Sequence, residues 1–394
     1  MILRTLIFLS VLLLILGGTL AYLGRRSMAL CPALGRHPAL VWSFLGLFLG
    51  LLFLVPLVNR LADHRADSLY WLSYGLFSFV STFLVYLAVA DLGQFLLRRL
   101  AHAPQVVGLW AFRTALVGAV LSVLIGWVMA IRQPGVKEVE VPIADLPAGL
   151  EGFRIVQISD LHLGPLVSAA KVERLVARTN ELGPDLIVIT GDLVDGEADG
   201  VKGKAERMAA LKATHGVYFI TGNHEYYSGV AKWIPIIRDL GWHLLDNAHA
   251  VIERGDARLV VAGMPDPTAG GRRGNGKGPD LAKTLAGAPA EAMKLLLFHP
   301  PTGYEEAERA GVNLQLSGHT HSGQYFPWSL VVQTIYRYPK GLNRHGDMWI
   351  YTSVGTGFWG PPNRFLVPPE LTVITIKSDT NRGKTVEDEG PGSK

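Results

Sequence analysis

The segment QLSGHTHSGQYF, residues 315–326, places His319 and His321 one residue apart in a glycine-rich turn. Alternate residues of an extended turn can point in the same direction, which makes two imidazoles at this spacing candidate metal ligands. Pairs of histidines also arise by chance, and a metal site needs more ligands than these two. The candidate partners are the other polar side chains that the fold brings to the same turn.

Five short apolar segments, each followed by a polar turn, recur between residues 153 and 321. They are FRIVQISDLH (153–162), DLIVITGDLVD (185–195), GVYFITGNHE (216–225), MKLLLFHP (293–300) and VNLQLSGHTH (312–321). Short apolar runs bounded by turn residues are typical of buried strands. Further strands are predicted at 136–143 and in a hairpin that turns at Gly255 and Asp256.

Helical patterns separate the predicted strands. They lie at 168–183, 203–213, 229–240 and 302–310. The first of them has Ser168 in position to cap its amino end. Alternating strands and helices, together with a hairpin, predict an α/β domain over residues 133–378, built on a mixed sheet or a pair of sheets.

Polar side chains follow all five apolar segments at the point where each predicted strand ends. They are Asp160, His162, Asp192, Asp195, Asn223, His224, His299, His319 and His321. Open α/β sheets bind ligands at the carboxyl ends of their strands, so these side chains can converge although they are far apart in sequence. Each has an ordinary explanation by itself: Asp160 can cap a turn, and His299 can be a partly buried imidazole. Their joint occurrence at every strand end favours one shared site.

The residue types in this set indicate metal chemistry. Carboxylates, imidazoles and an amide oxygen, without cysteine, suit divalent manganese, iron or zinc. The ligands are too many for one tetrahedral zinc ion, but they suffice for two ions that share a carboxylate. Two ions roughly 3.5–4 Å apart form a clamp for in-line displacement at phosphorus. The set therefore predicts a dinuclear site for the hydrolysis of phosphate esters.

The ordered motifs DLH, GDLVD, GNHE, FHP and GHTH resemble the calcineurin-like metallophosphoesterase superfamily over about residues 150–378. The resemblance implies a four-layer sandwich of two mixed β-sheets flanked by helices. It also implies two divalent ions, with manganese ahead of iron or zinc. The implied ligands are Asp160, His162 and His321 for the first ion, Asn223, His299 and His319 for the second, and Asp192 for both.

Two further residues acquire roles from the same resemblance. His224 matches the histidine that stabilises the phosphoryl oxygens or protonates the leaving group, and Asp195 matches the carboxylate that orients it. A hydroxide that bridges the two ions would attack phosphorus in line with the leaving oxygen. All nine motif positions are intact, which favours an active enzyme.

The first third of the chain is strongly apolar. Of the 394 residues, 49% are hydrophobic and only 18% are charged. A helix needs about 20 apolar residues to cross a bilayer. Four runs qualify, at 2–23, 39–58, 69–90 and 107–131, and each is flanked by polar or basic residues. Residues 1–132 are therefore predicted to form a transmembrane region of four helices.

With this region, the chain resembles the membrane-anchored branch of bacterial phosphoesterases, which implies an integral protein of the bacterial inner membrane. The basic residues of the loops are too evenly divided to decide the orientation. Arg25 and Arg26 after the first run, against a lone Arg4 before it, favour an N-terminus outside the cytoplasm. Four spans would then place the catalytic domain on the extracytoplasmic side.

The motifs leave the phosphate ester itself open. The membrane anchor and segment 323–342, which is predicted to be an apolar loop, favour a lipid-linked or UDP-acyl-sugar phosphodiester, although this loop can instead pack on the core. The alternatives are a tethered phosphatase or nucleotidase for a soluble substrate, and a membrane sensor that binds metal without turnover. The net charge of +4 gives no indication of nucleic-acid binding.

Two segments are predicted to lack regular structure. Residues 264–291 are rich in Gly, Pro, Arg and Lys and are predicted to form a flexible loop. The polar residues 379–394 are predicted to form a disordered tail. The single cysteine, Cys31, excludes an intrachain disulfide.

Overall fold

The computed structural model describes residues 2–61, 67–101, 107–274 and 276–379 of the chain. The chain divides into two compact units. The first unit contains Met1–Val128 together with Gly360–Phe365, and the second contains Met129–Trp359 together with Leu366–Lys394. The predicted disordered tail, 379–394, lies outside the described residues except for Asp379.

The amino-terminal part of the first unit is helical. Its helices are α1 (Ile2–Leu30), α2 (Pro32–Gly35), α3 (Pro38–Leu61), α4 (Asp67–Ala101) and α5 (Val107–Ile131), the last of which continues three residues into the second unit. Among the described residues, Pro38–Val55, Leu69–Leu97 and Gly108–Ile131 are long and apolar enough to cross a membrane, which confirms three predicted spans. The other predicted span, 2–23, lies in α1; most of the side chains in its first half are outside the described residues, so this span stays a prediction.

A short segment from late in the sequence lies among these helices. The side-chain amide of Asn363 donates a hydrogen bond to Ser78 Oγ of α4 at 2.8 Å. The backbone N–H of Arg364 donates to the carbonyl of Gly126 on α5 at 3.0 Å. A Cβ atom at Gly126 would overlap the Asn363 amide, so the absence of a side chain there admits the segment.

The described residues of the second unit form twelve strands. They are β1 (Gly135–Ile143), β2 (Arg154–Ile158), β3 (Leu186–Thr190), β4 (Val217–Ile220), β5 (His243–Leu244), β6 (Ala248–Arg254), β7 (Ala257–Gly263), β8 (Met293–Leu297), β9 (Leu314–Ser317), β10 (Gly341–His345), β11 (Met348–Thr352) and β12 (Glu370–Ser378). One six-stranded sheet has the order β1-β12-β2-β3-β4-β5, and the other has the order β10-β11-β9-β8-β7-β6. Both sheets are mixed, and β6 and β7 form the predicted hairpin.

Seven helices accompany the strands. They are α6 (Ala169–Glu181), α7 (Ala198–Ala205), α8 (Asn223–Tyr227), α9 (Val230–Asp239), α10 (Leu281–Leu285), α11 (Tyr304–Arg309) and α12 (Trp328–Ile335). The predicted cap of α6 is present, because Ser168 Oγ accepts a hydrogen bond from the Lys171 N–H.

The alternation of side chains along the strands produces the layers. Ile155 of β2 packs between the two sheets together with Leu295 of β8, whereas its neighbour Val156 faces the helix side. Leu175 of α6 covers the outer face of the first sheet, and Ala307 of α11 covers that of the second. Each fully buried Leu or Ile contributes about 1.5–3 kcal/mol relative to an exposed one. The predicted four-layer sandwich is confirmed.

Three segments differ from their predicted structure. The helix predicted at 203–213 is instead α7, which ends at Ala205, and a 3₁₀ turn at Glu206–Ala210. The predicted loop 264–291 contains a 3₁₀ turn at Pro267–Gly270 and the helix α10, which Asp280 caps through the Lys283 N–H. The apolar segment 323–342 contains the helix α12.

Candidate active site and metal centre

The predicted site residues follow the carboxyl ends of strands in both sheets. Gln157 on β2 joins the two sheets directly below them, because its side-chain amide donates to Thr190 Oγ1 at 2.9 Å and to the Ser317 carbonyl at 3.0 Å. The turns that follow β8 and β9 are also joined, because the Gly318 N–H donates a hydrogen bond to the carbonyl of His299 at 2.9 Å. The sheet packing thus brings strand ends more than 150 residues apart in sequence into one crevice.

Three predicted ligands of the first ion form a buried group. Asp160, His162 and His321 each offer one donor atom within 4.8 Å of the other two. The Nε2 atoms of His162 and His321 lie 3.0 Å apart, and Asp160 Oδ1 lies 3.4 Å from His321 Nε2. The two imidazole nitrogens therefore point into the same small space.

A second group gathers around Asp192. The carboxylate of Asp192, His299 and His319 also offer donor atoms within 4.8 Å of one another. The Nε2 atom of His299 lies 3.2 Å from Asp192 Oδ2, and Asn223 Oδ1 lies 2.9 Å from His319 Nδ1. The second group thus contains all the ligands predicted for the second ion.

Asp192 connects the two groups. Its Oδ2 atom lies 3.8 Å from His162 Nε2 as well as 3.2 Å from His299 Nε2. His162, Asp192 and His224 form a third group within the same distance limit. However, Nδ1 of His224 is hydrogen-bonded to Asp195, so His224 already has a partner outside the cluster. Asp192 therefore lies between the two groups, and its role as a shared ligand stays a prediction.

The direction of the hydrogen bonds tests whether cations fit these groups. Nδ1 of His299 donates to the Thr190 carbonyl at 2.7 Å, which leaves Nε2 as the nitrogen that can bind a cation next to Asp192 Oδ2. When Nε2 of His319 donates to the Tyr336 hydroxyl, 3.1 Å away, Nδ1 keeps a lone pair that can bind a cation next to Asn223 Oδ1. Lone pairs that face other lone pairs and carboxylates repel one another unless a cation lies between them. The donor set therefore fits divalent metal ions.

Backbone strain is concentrated at the same residues. Asp160, His162, Asp192, His319 and His321 all have positive φ angles, between 47° and 70°. Residues other than glycine rarely adopt this left-handed conformation, and each instance costs of order 1–3 kcal/mol. Five strained residues in one cluster require compensation from the surrounding hydrogen bonds. This pattern is typical of a site in which ligand geometry is held in advance.

The charge of the cluster is centred on Asp192. Burial alone would raise the pKa of Asp192, but the His299 imidazole holds it below its usual range. Against the effect of burial, Asp192 holds the pKa of His299 well above its usual value. Burial raises the pKa of Asp160 to about 6 and lowers the pKa of His162 to about 3 and that of His319 to about 4.

His224 and Asp195 form a separate pair beside the cluster. Nδ1 of His224 lies 3.0 Å from Asp195 Oδ1. Burial lowers the pKa of His224, but the hydrogen bond to Asp195 and the charge of Asp192 outweigh burial and raise it overall. The rings of Tyr227 and Trp359 pack edge to face against the His224 ring, with ring centroids 5.3 and 5.7 Å from its centroid. His224 is thus oriented by a carboxylate and bordered by two aromatic rings that are about half exposed.

Comparison with known proteins identifies the family. The family described as calcineurin-like phosphoesterase matches residues 153–323. A "Transmembrane protein with metallophosphoesterase domain" from Danio rerio is 35% identical over 325 residues, which cover 78% of this chain and 74% of that protein. The chain belongs to the calcineurin-like metallophosphoesterase family.

A bacterial relative and a solved structure are also similar to parts of the chain. A metallophosphoesterase of Campylobacter jejuni is 30% identical over 387 residues, which cover 94% of this chain and 98% of that protein. The crystal structure of TT1561 of Thermus thermophilus superposes with a TM-score of 0.38 and 12% identity, over 52% of this chain and 90% of that one. The resemblance inferred from the motifs is confirmed, and the chain is a membrane metallophosphoesterase whose Asp and His clusters fit a dinuclear divalent metal centre.

Glu225 supports this phosphoesterase site, although the sequence assigned it no role beyond its place in GNHE. Its buried carboxylate accepts hydrogen bonds from the backbone N–H groups of Asp192 (3.0 Å), Leu193 (2.8 Å), Val194 (3.2 Å) and Gly222 (2.6 Å). These four bonds tie the turn after β3 to the turn after β4. The two turns carry Asp192, Asp195 and His224, so Glu225 holds them at fixed separations.

Replacing Glu225 with alanine is expected to lower the free energy of unfolding by at least about 3 kcal/mol, because four backbone N–H groups lose the carboxylate acceptor at once. Urea denaturation measures the change. Glu305→Ala is the matched control, since Glu305 is an exposed residue of α11, and it should leave the unfolding free energy nearly unchanged. Equal stability of the two variants would show that the four bonds to Glu225 contribute little.

Two other supporting residues lie in the apolar segment after GHTH. The Tyr336 hydroxyl bonds to His319, as described above. Gln324 has a φ angle of 63°, and its side-chain amide makes two hydrogen bonds with the backbone of Trp359, at 2.8 and 2.7 Å. The hydrophobicity of the segment does not predict the hydrogen bonds of Tyr336 or Gln324, because both residues find their partners only through tertiary packing.

Gly318 permits a close approach at the first metal group. A Cβ atom at this position would overlap Ser159 Oγ and Asp160 Oδ2. The Gly318→Ala variant is therefore expected to displace Asp160 and to weaken metal binding roughly 10- to 100-fold. Calorimetric titration with Mn²⁺ measures the affinity. Gly203→Ala is the control, because a Cβ at Gly203 in α7 meets only open space; unchanged affinity in both variants would contradict the close-packing argument.

Proposed function

We propose that this chain is a membrane-anchored phosphodiesterase that depends on two divalent metal ions and hydrolyses a lipid-linked or UDP-acyl-sugar phosphodiester. The observation that carries this proposal is the pair of donor groups that share Asp192, next to the hydrogen-bonded His224 and Asp195. This combination supplies two neighbouring cation sites and a proton donor, which are the parts needed for in-line hydrolysis at phosphorus.

The proposed ligands are divided between the two ions in the same way as the two donor groups. Asp160, His162 and His321 hold one ion, Asn223, His299 and His319 hold the other, and Asp192 contacts both. When bound, the two ions supply an activated water and neutralise charge on the phosphoryl oxygens. The oxygen donors Asp160, Asp192 and Asn223 make manganese the favoured metal, with iron or zinc as alternatives.

The chain's own residues complete the chemistry. His224 donates a hydrogen bond from Nδ1 to Asp195, which leaves Nε2 as the nitrogen that can stabilise a phosphoryl oxygen or deliver a proton to the leaving oxygen. Asp195 orients the ring and favours the protonated imidazole that acts as an acid. Glu225 and Tyr336 hold the turns and the His319 ring in place.

The rim of the site supports a diester with an apolar component. Tyr227 and Trp359 border His224 with half-exposed rings, so the leaving-group side offers aromatic contact surface. The apolar helices that can cross a membrane keep the domain near membrane lipids. We place the protein in the bacterial inner membrane with its catalytic domain on the extracytoplasmic side, the orientation favoured by Arg25 and Arg26.

The test compares two chromogenic esters with the purified full-length protein in Mn²⁺. We expect metal-dependent hydrolysis of bis(p-nitrophenyl) phosphate with a kcat/KM at least about tenfold above that for p-nitrophenyl phosphate, a preference of about 1.4 kcal/mol. Preference for the monoester would instead indicate a tethered phosphatase or nucleotidase. No turnover of either ester with both ions bound would indicate a metal-binding sensor. A panel of lipid and nucleotide phosphodiesters then identifies the substrate class.

A further inference from the structure

The exposed apolar side chains of the catalytic unit are concentrated around the metal centre. Between residues 133 and 379, the described large apolar side chains that are strongly exposed are Tyr227, Val251, Trp328, Leu330, Val331, Ile335, Trp359 and Leu366. Two of the eight border His224, and four lie on α12, which begins seven residues after His321. Clusters of this kind mark surfaces that contact another apolar phase.

The helix α12 is held firmly although its outer face is uncovered. On its amino-terminal side, Gln324 is clamped to the Trp359 backbone by two hydrogen bonds. On its carboxyl-terminal side, Tyr336 bonds to His319, and Thr320 Oγ1 donates to the Pro339 carbonyl at 2.7 Å. The outward side chains Leu330 and Ile335 are 56% and 66% exposed. Water contact with a rigid apolar face is unfavourable in proportion to the exposed apolar area, so an apolar occupant is expected.

The residues around α12 identify what occupies this face. Trp328 at the start of the helix and Tyr336 just after it are side-chain types enriched where a membrane meets water. Residues 323–345 contain Arg337, Lys340 and Arg344 and lack acidic residues. Arg337 and Lys340 are exposed and follow the helix directly. An apolar face with adjoining cations is complementary to acyl chains below anionic headgroups.

We propose that α12 is a membrane-docking helix. Trp328, Leu330, Val331 and Ile335 enter the interfacial layer of an anionic phospholipid bilayer, and Arg337 and Lys340 contact the headgroup phosphates. Because Tyr336 bonds directly to His319, docking holds the metal centre close to phosphate esters at the bilayer surface. The choice of lipid-linked substrates rests on the proposed function, whereas docking itself requires no turnover.

A fluorescent label tests docking in the intact protein. The Cys31→Ser chain, which then lacks cysteine, is labelled with the environment-sensitive NBD dye after Ile335→Cys or, as the matched control, Val251→Cys. Val251 lies on β6 and is 40% exposed. Each protein is reconstituted into vesicles of phosphatidylcholine and phosphatidylglycerol that contain a doxyl-labelled lipid. We expect at least about twofold stronger quenching and a blue-shifted emission at position 335.

Three outcomes would overturn the proposal. Equal quenching at both positions, or aqueous emission at position 335, would mean that α12 does not enter the bilayer. Shielding of position 335 that requires high protein density and occurs without lipid quenching would mean that another protein copy covers the helix. Thermal unfolding of both labelled proteins verifies that they remain folded.

The docking test and the activity test can fail separately. Quenching at position 335 without hydrolysis of bis(p-nitrophenyl) phosphate would leave docking intact and refute the proposed function. Hydrolysis without quenching at position 335 would refute docking and leave the proposed function intact. As a second arm, Arg337→Gln with Lys340→Gln is expected to reduce quenching at position 335 in anionic vesicles and to have little effect in vesicles of phosphatidylcholine alone. The same reduction in both lipids would refute the proposed headgroup contact.

Discussion

Asp192→Asn is expected to lower kcat for bis(p-nitrophenyl) phosphate by at least about 10³-fold, because the shared carboxylate is the anionic centre between the two donor groups. Asp192 Oδ2 faces both His162 and His299, so its charge acts on both donor groups. An asparagine keeps the side-chain oxygen that accepts a hydrogen bond from the backbone N–H of His224 at 2.8 Å, so the local fold should persist. Turnover is measured together with the metal content per chain, which should fall below two.

Asp185→Asn is the matched control for this variant. Asp185 precedes the amino end of β3, the same strand that Asp192 follows, and its carboxylate accepts a hydrogen bond from the Arg154 N–H at 2.8 Å. Asparagine retains an acceptor there, so wild-type turnover and metal content are expected. Wild-type turnover in Asp192→Asn itself would refute the assignment of Asp192 as the shared ligand.

His224→Ala is expected to reduce kcat by about 10²- to 10⁴-fold, the usual contribution of a positioned acid or base. The metal content should remain two per chain, because the ring is hydrogen-bonded to Asp195 rather than directed at the proposed ions. If His224 protonates the leaving oxygen, the loss will be larger for an alkyl ester than for a p-nitrophenyl ester, whose leaving group needs no proton. A plot of rate against leaving-group pKa for both proteins separates this role from stabilisation of phosphoryl oxygens.

Two companion variants sharpen this experiment. Asp195→Asn should also lower kcat, by no more than His224→Ala does, because the ring remains but loses the carboxylate that fixes its tautomer and orientation. His243→Asn, at an exposed position on β5, should retain wild-type turnover. Loss of metal from His224→Ala would contradict the division of roles, since it would make His224 a ligand.

The convergence of the site was predictable from the sequence because local and global patterns agree there. Each motif pairs an apolar run with a polar turn, and the sandwich brings the strand ends together at one crevice. The strand that contains Ile155 and Val156 was identified because its apolar run ends at a polar turn. The left-handed conformations of His319 and His321 followed from neither composition nor periodicity.

Features that depend on tertiary contacts were not predictable in this way. The segment 323–342 has the apolar content of a helix, but Gly323, Pro327 and Pro339 marked it as a loop. In α7, Gly200 and Gly203 weaken the helical signal, and burial of Val201 against the core overrides that weakness. Glu225 has no periodic signal at all, because its role depends on four N–H groups brought together by folding.

The placement of Gly360–Phe365 among the apolar helices of the first unit was also not predictable, because it depends on tertiary contacts. Nothing in the residues GPPNRF predicts that Asn363 bonds to Ser78, nearly 300 residues earlier in the chain. The contact depends on the missing side chain of Gly126, and in sequence that glycine resembles any other in an apolar helix.

Metal titration of the purified full-length protein, with bound ions and turnover measured on the same samples, tests the central claim most directly. We predict that metal-free protein is inactive, that each chain binds two Mn²⁺ ions, and that hydrolysis of bis(p-nitrophenyl) phosphate rises with occupancy of the second. Binding of a single ion with full turnover, or turnover by the metal-free protein, would contradict a dinuclear centre built around Asp192.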